Sequence, residues 1–109
     1  MKQEYFDYLN DILKSMNLTQ EFVTDFTFQA FIDDEKTQYA VIRCLEIIGE
    51  ATKRLPDKIR DDNPTIPWKA MAGMRDRLIH GYDIVDSEII WITIQKTIPD
   101  LIRQIEGIL

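Results

Sequence analysis

Asp34-Glu35-Lys36-Thr37-Gln38-Tyr39-Ala40-Val41-Ile42-Arg43-Cys44-Leu45-Glu46-Ile47-Ile48-Gly49-Glu50-Ala51-Thr52-Lys53-Arg54-Leu55 is the stretch that decides the fold. Acidic residues open it and Pro56 stops it, as expected of a helix with its dipole complemented at the start. Val41, Cys44, Leu45, Ile48 and Thr52 recur on one side, and Ala40, Ile47 and Ala51 on a second. A helix apolar on two sides belongs at the centre of a bundle. Between those sides, Arg43, Glu46 and Glu50 stand at i, i+3 and i+7. They read either as an intrahelical salt-bridge ladder or as a face whose glutamates meet a cation on another helix.

Working outward, Tyr5, Tyr8, Leu9, Ile12 and Leu13 predict a first helix over about Gln3–Met16. A second is expected over about Thr19–Phe31, with Thr19 as its N-cap. Pro56 to Thr65 is polar and turn-rich, with Asn63-Pro64 as a breaker. Pro67 opens another helix that should end near Gly81. The run from Glu88 to Ile94 resembles a strand by propensity. However, Trp91, Ile94, Ile98, Leu101, Ile102 and Ile105 keep a 3.6-residue period. It is therefore read as helix, from an N-cap at Asp86 to about Ile105, kinked near Pro99. The prediction is a single all-α domain, residues 1–109, in a bundle of about five helices.

The chain has 109 residues, 45% hydrophobic and 29% charged, with a formal net charge of −6. That is ordinary for a globular domain, and near the size at which oligomers often add stability. No apolar stretch approaches the roughly 20 residues that span a bilayer, and the N-terminus does not read as a signal peptide. No membrane association is expected. A single cysteine, Cys44, allows no internal disulfide and fits a reducing cytoplasm. One histidine and one cysteine make a zinc site improbable, so no metal or other cofactor is expected. Residues 1–50 carry the whole excess of negative charge, with four Lys/Arg against ten Asp/Glu. Residues 53–77 hold seven basic and four acidic side chains. That segment permits contact with a phosphate chain, but tight non-specific binding is not expected.

Within and just beyond the basic segment lies Arg75-Asp76-Arg77-Leu78-Ile79-His80-Gly81-Tyr82. On a continuous helix, Trp68, Met71, Ala72, Leu78, Ile79 and Tyr82 would fall within about 60° of Arg75. A guanidinium in an apolar stripe needs an anion, because an unpaired buried charge costs several kcal/mol. A neighbouring helix, a second subunit or a bound phosphate could supply it. Asp76 and His80, at i and i+4, would form a polar flank with Lys69. A carboxylate one turn back can fix the imidazole tautomer and favour its protonated form. Arg77 points to the far side, where solvation is the plain reading and a backbone phosphate the sharper one.

An arginine, a histidine five residues on and a tyrosine two beyond, with a polar residue after the arginine, resembles the motif of HepT-like toxins in the HEPN superfamily. The likeness runs through Asp34–Gln38, Ala40–Pro56, Ile66-Pro67-Trp68, Gly73-Met74-Arg75, Val85-Asp86 and Ile98–Leu101. Asp76 departs from the family's usual asparagine, adding negative charge beside the phosphate site. The resemblance implies a helical homodimer whose two motifs meet over a cleft for single-stranded RNA. It implies a cytoplasmic, metal-independent endoribonuclease with Arg75 and His80 catalytic, Asp76 supporting and Arg43, Glu46, Glu50 and Arg77 as candidate cleft residues. A nucleotidyltransferase antitoxin would neutralise it by adenylylating Tyr82. The alternative is a non-catalytic helical module that docks a nucleotidyltransferase and regulates it.

Overall fold

A computed structural model describes the backbone of residues 2–80 and 84–109, and side chains over residues 5–79 and 85–109. Among the described residues the architecture is all-α, with one pair of two-residue strands. Helix α1 (Lys2–Phe22) is followed by α2 (Phe28–Asp33) and the central α3 (Glu35–Lys53). Then come α4 (Asp57–Asp62), α5 (Trp68–Ala72) and α6 (Met74–Leu78). Strands β1 (Ile79–His80) and β2 (Ile84–Val85) pair antiparallel, Ile79 opposite Val85 and His80 opposite Ile84. Helix α7 (Ser87–Ile92), a π-helical turn (Thr93–Thr97) and α8 (Ile98–Glu106) complete the chain. Among the described residues, no helix is long and apolar enough to cross a membrane.

Helix α3 lies where its two apolar sides require. Asp34 caps it, its carboxylate accepting from the Thr37 amide at 3.2 Å. Val41, Cys44, Leu45, Ile48 and Thr52 are all buried, and the Thr52 hydroxyl donates to the Ile48 carbonyl at 2.7 Å. The helix packs most extensively on α1 and, on another side, against α5 and α6.

The N-terminal expectations need correction. Thr19 does not cap a second helix. It is fully buried inside α1, its hydroxyl donating to the Met16 carbonyl at 2.7 Å. The stripe of Leu9, Ile12 and Met16 continues through it, so burial outweighs its preference for a helix end. The break falls later. Asp25 adopts the left-handed region at φ 64°, and Thr27 caps α2 by accepting from the Ala30 amide. The expected loop after Pro56 contains α4, whose Ile59 enters the core.

The last third differs most. Gly73 divides the helix expected from Pro67 into α5 and α6, and α6 ends at Leu78 rather than near Gly81. The Leu78 carbonyl accepts from the Asp86 amide at 2.9 Å instead of continuing the helix. Asp86 caps α7 as expected, its carboxylate accepting from the Ile89 amide. The kink expected near Pro99 takes the form of a π turn, in which the Ile98 amide reaches back five residues to the Thr93 carbonyl. In that register the Ile94 carbonyl would need the amide of residue 99, which proline lacks. Gln20 of α1 supplies the donor instead, at 2.8 Å.

Candidate active site

Arg75 sits on α6, which follows α5 at Gly73 and packs beside α3. Its Nε lies 3.9 Å from a carboxylate oxygen of Glu46 on α3, and its Nη1 lies 3.5 Å from Asp76 Oδ1. A neighbouring helix thus answers the sequence's demand for an anion, and the polar side of α3 turns a glutamate toward the motif. Arg75 and Glu46 are 35% and 38% exposed. Ion pairs this accessible are worth about 0–1 kcal/mol, so an incoming phosphate can compete for the guanidinium. The carboxylates hold the arginine in place without neutralising it beyond reach.

These groups line a cleft of about 310 Å³ between α3 and the α5–α6 pair. Arg43, Glu46, Glu50 and Lys53 come from α3, and Arg75 and Asp76 from α6. Three cations therefore face three carboxylates. Gly49 forms the floor, where a Cβ would lie 3.2 Å from the Ala72 carbonyl oxygen. Only glycine lets α3 and the end of α5 approach this closely. Glu50 also meets Lys53 at 3.6 Å, one turn along α3. Lys53 was absent from the sequence reading of the cleft. Its position seven residues after Glu46 placed it on the same helical side and could have revealed it.

Of the expected site residues, Arg75, Asp76, Arg43, Glu46 and Glu50 meet around one cleft. Arg77 does not line it and is exposed, as its position opposite Arg75 predicts. The flank formed by Asp76 and His80 presumed an unbroken helix, but α6 stops between them and His80 lies in β1. The described partner of Asp76 is Arg75. The His80 imidazole lies outside the described side chains, and Tyr82 outside the described residues. The same-side relation of Tyr82 to Arg75 cannot arise by helical continuation, because the helix ends four residues earlier.

The apolar stripe also receives a different explanation. Trp68, Met71, Leu78 and Ile79 are buried in the chain's own core, with Arg75 at its edge. They do not require a second subunit to cover them. Beside Arg43, burial pushes the Cys44 thiol up, and the nearby guanidinium only partly opposes this. A buried, protonated thiol is a core side chain and a poor nucleophile.

The family model described as "Ribonuclease HepT-like" matches residues 12–108. A Thermococcus cleftensis protein named "Probable ribonuclease HepT" is 48% identical over 101 residues, covering 93% of this chain and 92% of that protein. A Methanocaldococcus jannaschii protein named as a candidate RNase is 45% identical over 108 residues, covering 99% and 89%. Another so named, from Caldanaerobacter subterraneus, is 46% identical over 102 residues, covering 94% and 91%. No solved structure matches significantly. With an all-α frame, a half-exposed arginine in a charged cleft and relatives along nearly its whole length, this chain belongs to the HepT-like ribonuclease family.

Proposed function

We propose that the chain is the toxin of a toxin–antitoxin pair, a cytoplasmic endoribonuclease that cleaves single-stranded RNA without a metal. The observation that carries this is Arg75, held beside Glu46 in an open cleft by exposed ion pairs that a phosphate can displace. In this reading the ribose 2′-oxygen attacks the adjacent phosphorus and the bond to the 5′-oxygen breaks. The product is a 2′,3′-cyclic phosphate and a free 5′-hydroxyl. His80 takes the proton from the 2′-hydroxyl or delivers one to the leaving oxygen. Two copies of the chain bring two such histidines to a shared cleft. Arg75 stabilises the phosphorane through its planar fork. Asp76 supports the site through its contact with Arg75. Arg43 and Lys53 offer further contacts to the strand.

A partner nucleotidyltransferase would silence the enzyme by attaching AMP to Tyr82, seven residues after Arg75 in the motif. The deciding experiment measures RNA cleavage in EDTA, and growth arrest on expression, for the wild type, His80→Ala and Arg75→Ala. The expected outcome is cleavage by the wild type alone, with all three proteins folded. Cleavage by His80→Ala at the wild-type rate would remove His80 from the mechanism, and a wild type that cleaves no RNA would make the non-catalytic regulator the better account. Loss of wild-type activity in EDTA, restored by a divalent ion, would overturn the metal-free mechanism.

A further inference from the structure

Helix α3 separates two clefts, and only one of them contains Arg75. The second, of about 300 Å³, opens between α1 and α3 and is lined by Tyr8, Asp11, Arg43, Ile47, Glu50 and Arg54, with Ala51 beneath. Arg43 and Glu50 line both clefts. Positions 43, 47, 50 and 54 recur at helical spacing and form one face of α3, beside the face of Glu46, Gly49 and Lys53. Arg43 and Glu50 therefore stand on a crest, with Arg75 on one slope and Tyr8 on the other. From Arg43 to Arg54 the face extends about 16 Å at 1.5 Å per residue. Arg54 keeps αR geometry at the C-cap, so it remains in line.

We propose that the α1–α3 groove is a subsite for the nucleotides flanking the scissile phosphate of a single-stranded RNA. Arg43 carries the strand over the crest, Tyr8 stacks a base and Arg54 meets a phosphate beyond it. The inference rests on the ribonuclease reading, which places the scissile phosphate at Arg75. A polymer held there must leave the cleft, and the shared lining makes this groove its continuation. The Tyr8 ring is half-buried and packed against the core, so stacking on it loses little side-chain freedom. Every base offers a π face, so stacking holds a strand without demanding a sequence. The groove also carries two carboxylates. Glu50 already meets Lys53, while Asp11 is exposed at the rim, where it offers an acceptor to a 2′-hydroxyl or an exocyclic amine. With charges balanced, geometry and stacking hold the strand more than charge does.

The test separates binding from cleavage. The full chain carrying His80→Ala is titrated into a labelled long single-stranded RNA oligonucleotide, and separately into a dinucleotide, with anisotropy as the readout. Adding Tyr8→Leu or Arg54→Ala should weaken the long RNA about tenfold, a loss in the range of one stacked base. The dinucleotide, which spans only the Arg75 cleft, should lose markedly less. Tyr8→Phe should restore binding by keeping the ring. Arg54→Ala should lower the slope of log affinity against log salt by about one. Circular dichroism checks that each variant keeps its helix content. Groove variants that bind the long RNA like their parent, or that lose equally on both ligands, overturn the subsite. So does preferential binding of an acidic peptide at these residues. RNA binding through Tyr8 and Arg54 by a wild-type chain that cleaves nothing would sustain the groove and sink the ribonuclease reading. Cleavage with unchanged groove variants would sink the groove alone, and no RNA binding at all would sink both.

Discussion

Arg75 is held by geometry more than by energy. Its contacts with Glu46 and Asp76 are long and partly exposed, so replacing Glu46 should scarcely alter stability. The function of the guanidinium, in contrast, depends on where its fork points. Glu46→Ala should therefore leave the melting temperature within a few degrees of wild type while lowering kcat for RNA cleavage about tenfold, the effect of about 1.4 kcal/mol in the transition state. A melt that falls steeply in parallel with activity would make Glu46 a structural residue. Arg75→Lys should cleave poorly, since a point charge cannot reproduce bidentate contact with a phosphorane. Tyr82 tests the other half of the proposal, because its phenol need not take part in cleavage. Tyr82→Phe should keep some activity yet resist silencing by the cognate nucleotidyltransferase. Mass spectrometry of the wild-type pair should find AMP units on the Tyr82 peptide. An unmodified peptide from a silenced toxin would point to protein–protein occlusion instead.

Two features shape the elements that carry the site. Gly49 lets α3 touch the end of α5, where a methyl group would lie 3.2 Å from the Ala72 carbonyl oxygen. Gly49→Ala would gain up to about 1 kcal/mol of helix propensity. To make room, α5 must move by a few tenths of an ångström, and α6 follows it across Gly73. The two terms oppose, so thermal stability should change little while cleavage declines as Arg75 is displaced. An alanine variant with wild-type kinetics would show that the cleft tolerates that movement. The π turn makes a separate demand. Gln20 gives the Ile94 carbonyl the hydrogen bond that Pro99 cannot, and Ile94 itself is fully buried. Gln20→Ala should cost about 1 kcal/mol, or about 4 °C in melting temperature. In a Pro99→Ala background the cost should shrink, because an amide at residue 99 can bond to that carbonyl. Additive losses in the double variant would rule out this coupling.

The whole molecule exposes apolar side chains on α2 and α7, which lie against each other. Phe28, Ile32, Ile89 and Ile92 are each at least 36% accessible, and the Phe28 ring lies 6.2 Å from that of Trp91. Together with the shared cleft of the proposed mechanism, this predicts a dimer at micromolar concentration by sedimentation. A strict monomer would remove the second histidine from the proposed mechanism. The sequence alone established the all-α class, the central α3 opened by acidic residues, the Asp86 cap and the motif itself. These follow from periodicity, capping and chain stops, which are local and act within a turn or two. It could not show that α1 runs through Thr19, since burial in the core decides that and the helix propensity of one threonine does not. Nor could it show that the motif helix stops at Leu78. That end is set by the hydrogen bond from Asp86 and by the pairing of β1 with β2, both contacts with residues beyond the helix. Tertiary structure alone turned Glu46 toward Arg75 and joined two clefts over the crest of α3, because such distances depend on how helices pack and not on the periodicity of any one of them.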